Sequence, residues 1–255
     1  MITKSIQGHV LKIYDSIEDM PIINFQKYNR YLLIDSCIGS DFEDIDNHIT
    51  KIAKFIQTDK AAAMQELQNM RQALYFINEE INPRHLAFAA LIYEIDGEKV
   101  HDLSDDNLKA ILEKLNKVQK TWVDKILEVI KKKVEFELNT YFPEFFDSAK
   151  EKEAYDKLKQ RALLVLDGII NDKKNTQEIT EIDDYLLSLS KPKQFIGTKS
   201  TEVLYNKQFE NMCILIAQKT NLNPKILTVL EFYTTLDQLK KQAEMEVRHS
   251  RKHKR

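Results

Sequence analysis

Apolar residues recur at spacings of three and four along most of this chain, the period of a helix with one covered face. Helical patterning starts at Asn24, after Met20-Pro21 stops any earlier helix, and runs to Asp35 before Gly39 ends it. Ser40 with Glu43 reads as a capping box for the next helix, whose stripe is Phe42, Ile45, Ile49, Ile52 and Ile56. A second long helix from Asp59 carries Leu67, Met70, Leu74, Ile77 and Ile81. The short junction Gln57-Thr58-Asp59 predicts that the two form an antiparallel pair. At Asn82-Pro83 the Asn side chain can cap a new helix, and Pro at its first position gives up an N–H that had no partner. The helix so begun, Arg84 to Ile95, is apolar on most sides and belongs at the centre of the domain.

Asp96-Gly97 is the strongest turn signal in the chain and suits a tight type I′ turn, with Ile92 to Ile95 and Lys99 to His101 as the arms of a small hairpin. Val10, Leu11 and Ile13 suggest a short N-terminal strand; strand is expected only there and in the hairpin, and a sheet of four or more strands would contradict this expectation. Ser104 caps a helix carrying Leu108, Ile111, Leu112 and Leu115. The next runs from Thr121 to Phe142 with Ile126, Ile130, Val134 and Leu138 on one face, and Pro143 breaks it. Tyr155, Leu158, Ala162, Val165 and Ile169 mark a further helix, and Ile179, Ile182, Leu186 and Leu189 a shorter one. Toward the C-terminus a helix around Phe209 to Ala217 precedes Asn223-Pro224, a second Asn cap with a Pro start, and Thr234 with Asp237 can cap the last helix.

The fold expected is therefore mainly α, a multi-helix bundle with a small β-hairpin near Asp96-Gly97 and a short N-terminal strand. Residues 1–190 read as the main helical domain, 191–199 with Pro192 and Gly197 as a linker, and 200–255 as a small C-terminal helical region with a basic tail.

Composition agrees with this reading. With 43% hydrophobic and 31% charged residues over 255 positions, the chain can bury a core beneath a solvated surface. Only 5 Gly and 5 Pro interrupt it, too few for an all-β fold. The net charge of −2 supplies no overall field for nucleic acid or an anionic membrane. Cys37 and Cys213 stand alone, as free thiols of a reducing compartment. The N-terminus lacks a signal-peptide core, and the longest apolar run, Leu86 to Tyr93, is too short to span a bilayer. The expected location is the cytoplasm.

No phosphate loop, dinucleotide fingerprint or nucleophile elbow is present, so no cofactor is expected. The acidic cluster Asp41, Glu43, Asp44 and Asp46 occupies the first turns of a helix, where carboxylates complement the positive end of the dipole. It lacks the Gly and distal Glu of a calcium loop. His48 with Cys37 has no third orienting group, which leaves His48 as a helix-surface residue. His249 and His253 have helical metal spacing, but Arg and Lys lie between them. The feature with most interest is the basic terminus: Arg248, Arg251, Lys252, Lys254 and Arg255 can grip an acidic partner or nucleic acid.

The stretch Leu91 to Val100, followed by Asp102-Leu103-Ser104-Asp105-Asp106-Asn107-Leu108, resembles tailed-phage tail and baseplate assembly chaperones. These often carry a helix, a small Asp-Gly or Asn-Gly hairpin and then an acid-capped helix. Ile214 to Thr220, with Asn223-Pro224-Lys225 and Glu231-Phe232-Tyr233, is similar to the small helical domain of such chaperones. Ile13-Tyr14-Asp15-Ser16, Met20-Pro21-Ile22 and Asp35 to Ser40 look like uncharacterised phage proteins of gut bacteria. The resemblance covers about half the chain in patches. It leaves Thr121 to Lys191 without a counterpart and transfers no functional residue. It implies a non-enzymatic assembly protein in the host cytoplasm, with a tape-measure, tube or baseplate protein as client. The alternative is a neck or ring component that stays in the virion.

Overall fold

The computed structural model describes residues 1–115, 119–146, 149–171, 173–189 and 191–252, and their side chains except at 149–152 and 250–252. Strands β1 (Ile2–Ile6) and β2 (His9–Ile13) precede helices α1 (Ile22–Cys37), α2 (Phe42–Thr58), α3 (Lys60–Asn78) and α4 (Pro83–Ala90). Strands β3 (Ile92–Ile95) and β4 (Glu98–Lys99) follow, then α5 (Asp105–Lys114), α6 (Lys120–Tyr141), α7 (Ala149–Asn171) and α8 (Thr176–Leu189). The chain ends with α9 (Thr201–Thr220), a 3-10 turn at Pro224–Ile226 and α10 (Val229–Lys252). It is mainly α, 71% helical.

Strand is confined to the N-terminal segment and the Asp96-Gly97 hairpin, as the pattern suggested. The two regions nevertheless join in one antiparallel four-stranded sheet of order β1-β2-β3-β4, which the pattern did not call for. The physical reason lies at Asp96. Asp96 and Gly97 both have positive φ, 53° and 92°, as a type I′ turn requires. The freed carboxylate then accepts the Val10 N–H at 2.8 Å and meets His9 Nδ1 at 2.6 Å, while the Asp96 N–H donates to the Val10 carbonyl. This side chain helps fasten the second hairpin to the first, beside the β2–β3 ladder and the Lys12–Glu94 pair at 2.8 Å. Asp96→Ala should therefore accelerate amide hydrogen exchange at Val10. An unchanged rate there would mean that the ladder alone sets the pairing.

Leu11 and Ile13 on β2 are fully buried in the same hydrophobic cluster as α4, whose Ala87, Phe88, Ala89 and Ala90 are fully buried too. Asn82 caps α4 by accepting the His85 N–H, with Pro83 in the first turn. This helix ends at Ala90, so that Ile92 to Ile95 enter the sheet and do not continue the helix. Asn24 on α1 anchors the change of direction by donating to the Ala90 carbonyl at 2.8 Å.

α2 and α3 pair antiparallel: His48 meets Glu66, and nearer the turn Phe55 packs on Ala62 and Ala63. Asp59 ends one helix and caps the next. The cap of α2 is Asp41 with Asp44, one residue later than the Ser40–Glu43 box expected. Gly39 permits this because the Asp44 carboxylate occupies the space where a Cβ at position 39 would stand. The side of α2 that faces α3 also differs from the apolar stripe. His48 is 3% exposed, not on the surface, whereas Phe42, Ile49 and Ile56 face solvent. The contact surface of α3 offers small residues and the carboxylate of Glu66, which selects the histidine edge of α2.

α6 buries the four residues foreseen for it, Ile126, Ile130, Val134 and Leu138. Its solvent edge is tied to the segment after β2: Glu137 accepts the Ile17 N–H at 2.9 Å and Lys133 pairs with Asp15 at 2.7 Å. The C-terminal helices insert Phe209, Cys213, Ile216, Val229, Phe232 and Leu236 into the same hydrophobic cluster as α1 and α4. α10 starts at Val229 and not near Thr234, because Thr228 and Glu231 form the capping pair and the Val229 N–H donates to the Met20 carbonyl. Residues 191–199 hold no helix. Phe195 in this stretch is buried, and the Lys193 carbonyl accepts from Asn69.

Candidate functional site

A cleft runs along α1, with α6 as its other wall, and its chemistry changes from one end to the other. At the apolar end a cavity of about 330 Å³ is lined by Phe25, Leu138, Phe146, Phe209, Met212 and Tyr233, among others. Tyr233 sits in a nest of rings, with Phe146 at 5.0 Å, Phe232 at 5.6 Å and Phe142 at 5.8 Å between centroids. These rings come from the loop after α6 and from the first turns of α10, so two sequence-distant segments build one wall.

Tyr28 and Leu32 on α1 and Lys131 on α6 line this cavity and also the next, of about 380 Å³. Tyr28 is 2% exposed, and its hydroxyl has no hydrogen-bond partner among the described residues. Burial, with the charge of Glu135 nearby, raises the pKa of that phenol.

The middle of the cleft is spanned by one arginine. Arg84, in the first turn of α4, donates to Asp35 at 2.7 Å and to Asp124 at 3.0 Å, bridging α1 and α6. Burial raises the pKa of Asp35 despite the pull of Arg84. Beyond lies a third cavity of about 470 Å³, bounded by the carboxylates of Asp35, Asp41, Glu43, Asp44 and Asp124 and by the cations Arg84 and Lys120. Lys120 pairs with Asp41 and holds its carboxyl below the usual range. The surplus of carboxylates makes this end acidic. Along α1 the cleft extends roughly 20 Å, about the length of a three- to four-turn helix.

The acidic cluster of the sequence is thus partly structural, and Asp46 does not line the cavity. Asp41 and Asp44 close the cap of α2, and Glu43 faces the cavity. Among the described residues no group of His, Cys, Asp and Glu is arranged to hold a metal ion. His48 is spoken for: Nδ1 lies 2.8 Å from Glu66 and Nε2 2.8 Å from the Ile38 carbonyl. Cys37 is half-buried beside Ser36, and Cys213 is buried with its thiol pKa raised by that burial.

The basic terminus continues α10. From Lys241 to His249 every residue is exposed, so the last turns project beyond the body. Arg248 approaches Glu244 at 3.8 Å. Arg251 and Lys252 lie in the helix, without described side chains, and Lys254 and Arg255 fall outside the described residues. Truncation after Val247 should leave thermal stability nearly unchanged and weaken partner binding most at low ionic strength. Equal affinity and salt dependence in the truncated and full chains would show the tail to be merely solvated.

α7, marked in the sequence by Tyr155, Leu158, Ala162, Val165 and Ile169, turns its apolar side outward. Tyr155, Leu158, Leu163, Val165, Leu166, Ile169 and Ile170 are all exposed, the last two at 75%. The helix rests on α8 by its other side, with Arg161 clamping Asp183 at 2.6 Å, while the Leu164 carbonyl accepts from Asn175 of the connecting loop. None of the helices described is long and apolar enough to cross a membrane. No protein-family model, curated protein or solved structure matches the chain.

Proposed function

We propose that this chain is a non-catalytic assembly protein of the tailed-phage type, which holds another virion component by an amphipathic helix laid along α1. The observation that carries the reading is the graded cleft. It offers aromatic surface to the apolar residues of such a helix and carboxylates to its basic residues, the division of labour of helix-in-groove recognition. The hairpin at Asp96-Gly97 and the acid-capped α5, on which the resemblance to tail and baseplate chaperones rests, support the phage half of the proposal. The client is then a tape-measure, tube, baseplate or neck component met in the host cytoplasm, and no cofactor takes part.

Co-expression with those components from the same genome tests this. The expected result is a soluble complex with one of them that the double variant Gln208→Trp, Glu128→Lys abolishes; both residues line the cleft. A complex indifferent to that variant, or no complex with any of them, contradicts the proposal. A second reading, a neck or ring protein retained in the particle, is favoured by the outward apolar face of α7, which suits contact between copies. Mass spectrometry of purified particles separates the two: a chaperone is scarce there, a ring protein present at fixed copy number.

A further inference from the structure

Six aromatic side chains wall the apolar end of the cleft: Phe25 and Tyr28 on α1, Phe146 in the loop after α6, Tyr205 and Phe209 on α9, and Tyr233 on α10. Rings that only filled a core would close on one another, whereas these leave about 330 Å³ between them. That volume lies within the roughly 300–1,000 Å³ of small-molecule pockets. At roughly 30 Å³ each, the share of a water molecule in the liquid, it admits about ten non-hydrogen atoms. One deeply buried polar group belongs to this wall. Tyr28 is 2% exposed, and its hydroxyl is unpaired among the described residues. Such a hydroxyl is costly, because it has given up water for nothing. A second phenol of the wall, Tyr205, is engaged by Asn29. Burial and then the nearby Glu135 carboxylate raise the pKa of Tyr28, and Glu135 itself lines the cavity. Lys131, one turn earlier on α6, lines it too and lies 3.7 Å from Glu135.

We infer that this cavity binds a small neutral molecule, an apolar body of about ten non-hydrogen atoms that carries one hydroxyl group. The rings take the body. The ligand hydroxyl accepts from the Tyr28 O–H and donates to the Glu135 carboxylate, so both of its hydrogen-bonding roles are met. A carboxylate in the same place would face Glu135, and an amine would face Lys131, so the charged forms are disfavoured. The inference goes beyond the reading of the cleft as a helix receptor. It concerns the chain alone, and either can hold without the other.

The probe is para-propylphenol, which has the size and the single hydroxyl. Isothermal titration calorimetry of the full chain should show saturable one-to-one binding with a Kd on the order of 0.1 mM. Propylbenzene, which lacks the oxygen, should bind about fivefold more weakly, and para-propylbenzoate at least about tenfold more weakly. Tyr28→Phe should melt no lower than the parent, since it removes a hydroxyl without a partner. This variant should bind para-propylphenol about fivefold more weakly and propylbenzene as the parent does, which assigns the difference to the hydroxyl pair. Gln208→Trp, at an exposed residue that lines the cavity, should abolish binding of all three probes. The inference is overturned if para-propylphenol shows no saturable binding, or if its binding is untouched by Gln208→Trp or by Tyr28→Phe. A Tyr28→Phe chain that melts well below the parent overturns it too, because the hydroxyl is then paired within the fold. Benzoate binding as tight as that of the phenol contradicts the neutral class.

Discussion

Replacing Glu66 by Ala is expected to destabilise the fold by about 3 kcal/mol, the low end of what breaking a buried ion pair costs. Glu66 and His48 are 2% and 3% exposed, and they hold α2 against α3. Both partners of the imidazole, the Glu66 carboxylate and the Ile38 carbonyl, are acceptors, so both ring nitrogens carry protons and the ring is cationic. Without Glu66 the ring sheds its proton, which limits the loss. Burial lowers the pKa of His48, but the bonds to Glu66 and Ile38 outweigh it and the net shift is upward from 6.5. A raised folded pKa means that this contribution is complete below about pH 6.5 and fades as pH rises through the folded value. The stability difference between the parent and His48→Gln should accordingly shrink between about pH 6.5 and the raised pKa, measured by urea denaturation across that range. A difference that is flat or grows with pH would show that the ring is neutral in the fold.

Phe88→Ala should cost about 4 kcal/mol, a large share of the roughly 5–15 kcal/mol that folded domains possess. Phe88 is fully buried on α4, which packs against α1, α5 and α6, and its ring meets Trp122 edge-on at 5.5 Å and 83°. The substitution empties a space beside Trp122 at the start of α6, among close-packed, fully buried neighbours. The same contact ties α4 to the α6 wall of the cleft. Chemical denaturation should show the loss, with the slope against denaturant unchanged. A cost below about 1.5 kcal/mol would mean that the site relaxes into the space, so α4 is not the rigid centre described.

How much of this could be read from residues alone depends on what hydrophobic periodicity reports. It tells which face of a helix is apolar, and where that face meets the body the reading was correct, as for Ile126, Ile130, Val134 and Leu138 on α6. It does not tell which face the body receives. On α2 the histidine edge is taken up because a carboxylate on α3 waits for it, and on α7 the polar side is taken up by Asp183 on α8. Both inversions depend on a partner element, which spacing within one helix cannot reveal. Local capping was legible at Asn82-Pro83 and Ser104, where the motif is complete within four residues. It slipped at Ser40 and Thr234, where a better pair stood close by. The four-stranded sheet depends on long-range pairing of β2 with β3, with Asp96 on Val10 and Lys12 on Glu94, which turn chemistry does not disclose. The cleft was invisible for a related reason: Tyr28, Arg84, Asp124, Phe209 and Tyr233 are scattered over two hundred positions and share no motif.

The central claim is that the cleft along α1 receives a helix of a partner, and carbene footprinting of the purified client complex addresses it directly. Labelling of Leu32, Lys131 and Met212, all on the walls of the cleft, should fall several-fold on binding, while Ile49 and Ile56 on the outer face of α2 keep their reactivity. Unchanged labelling of the cleft in a complex of demonstrated stoichiometry would place the client elsewhere and contradict the account.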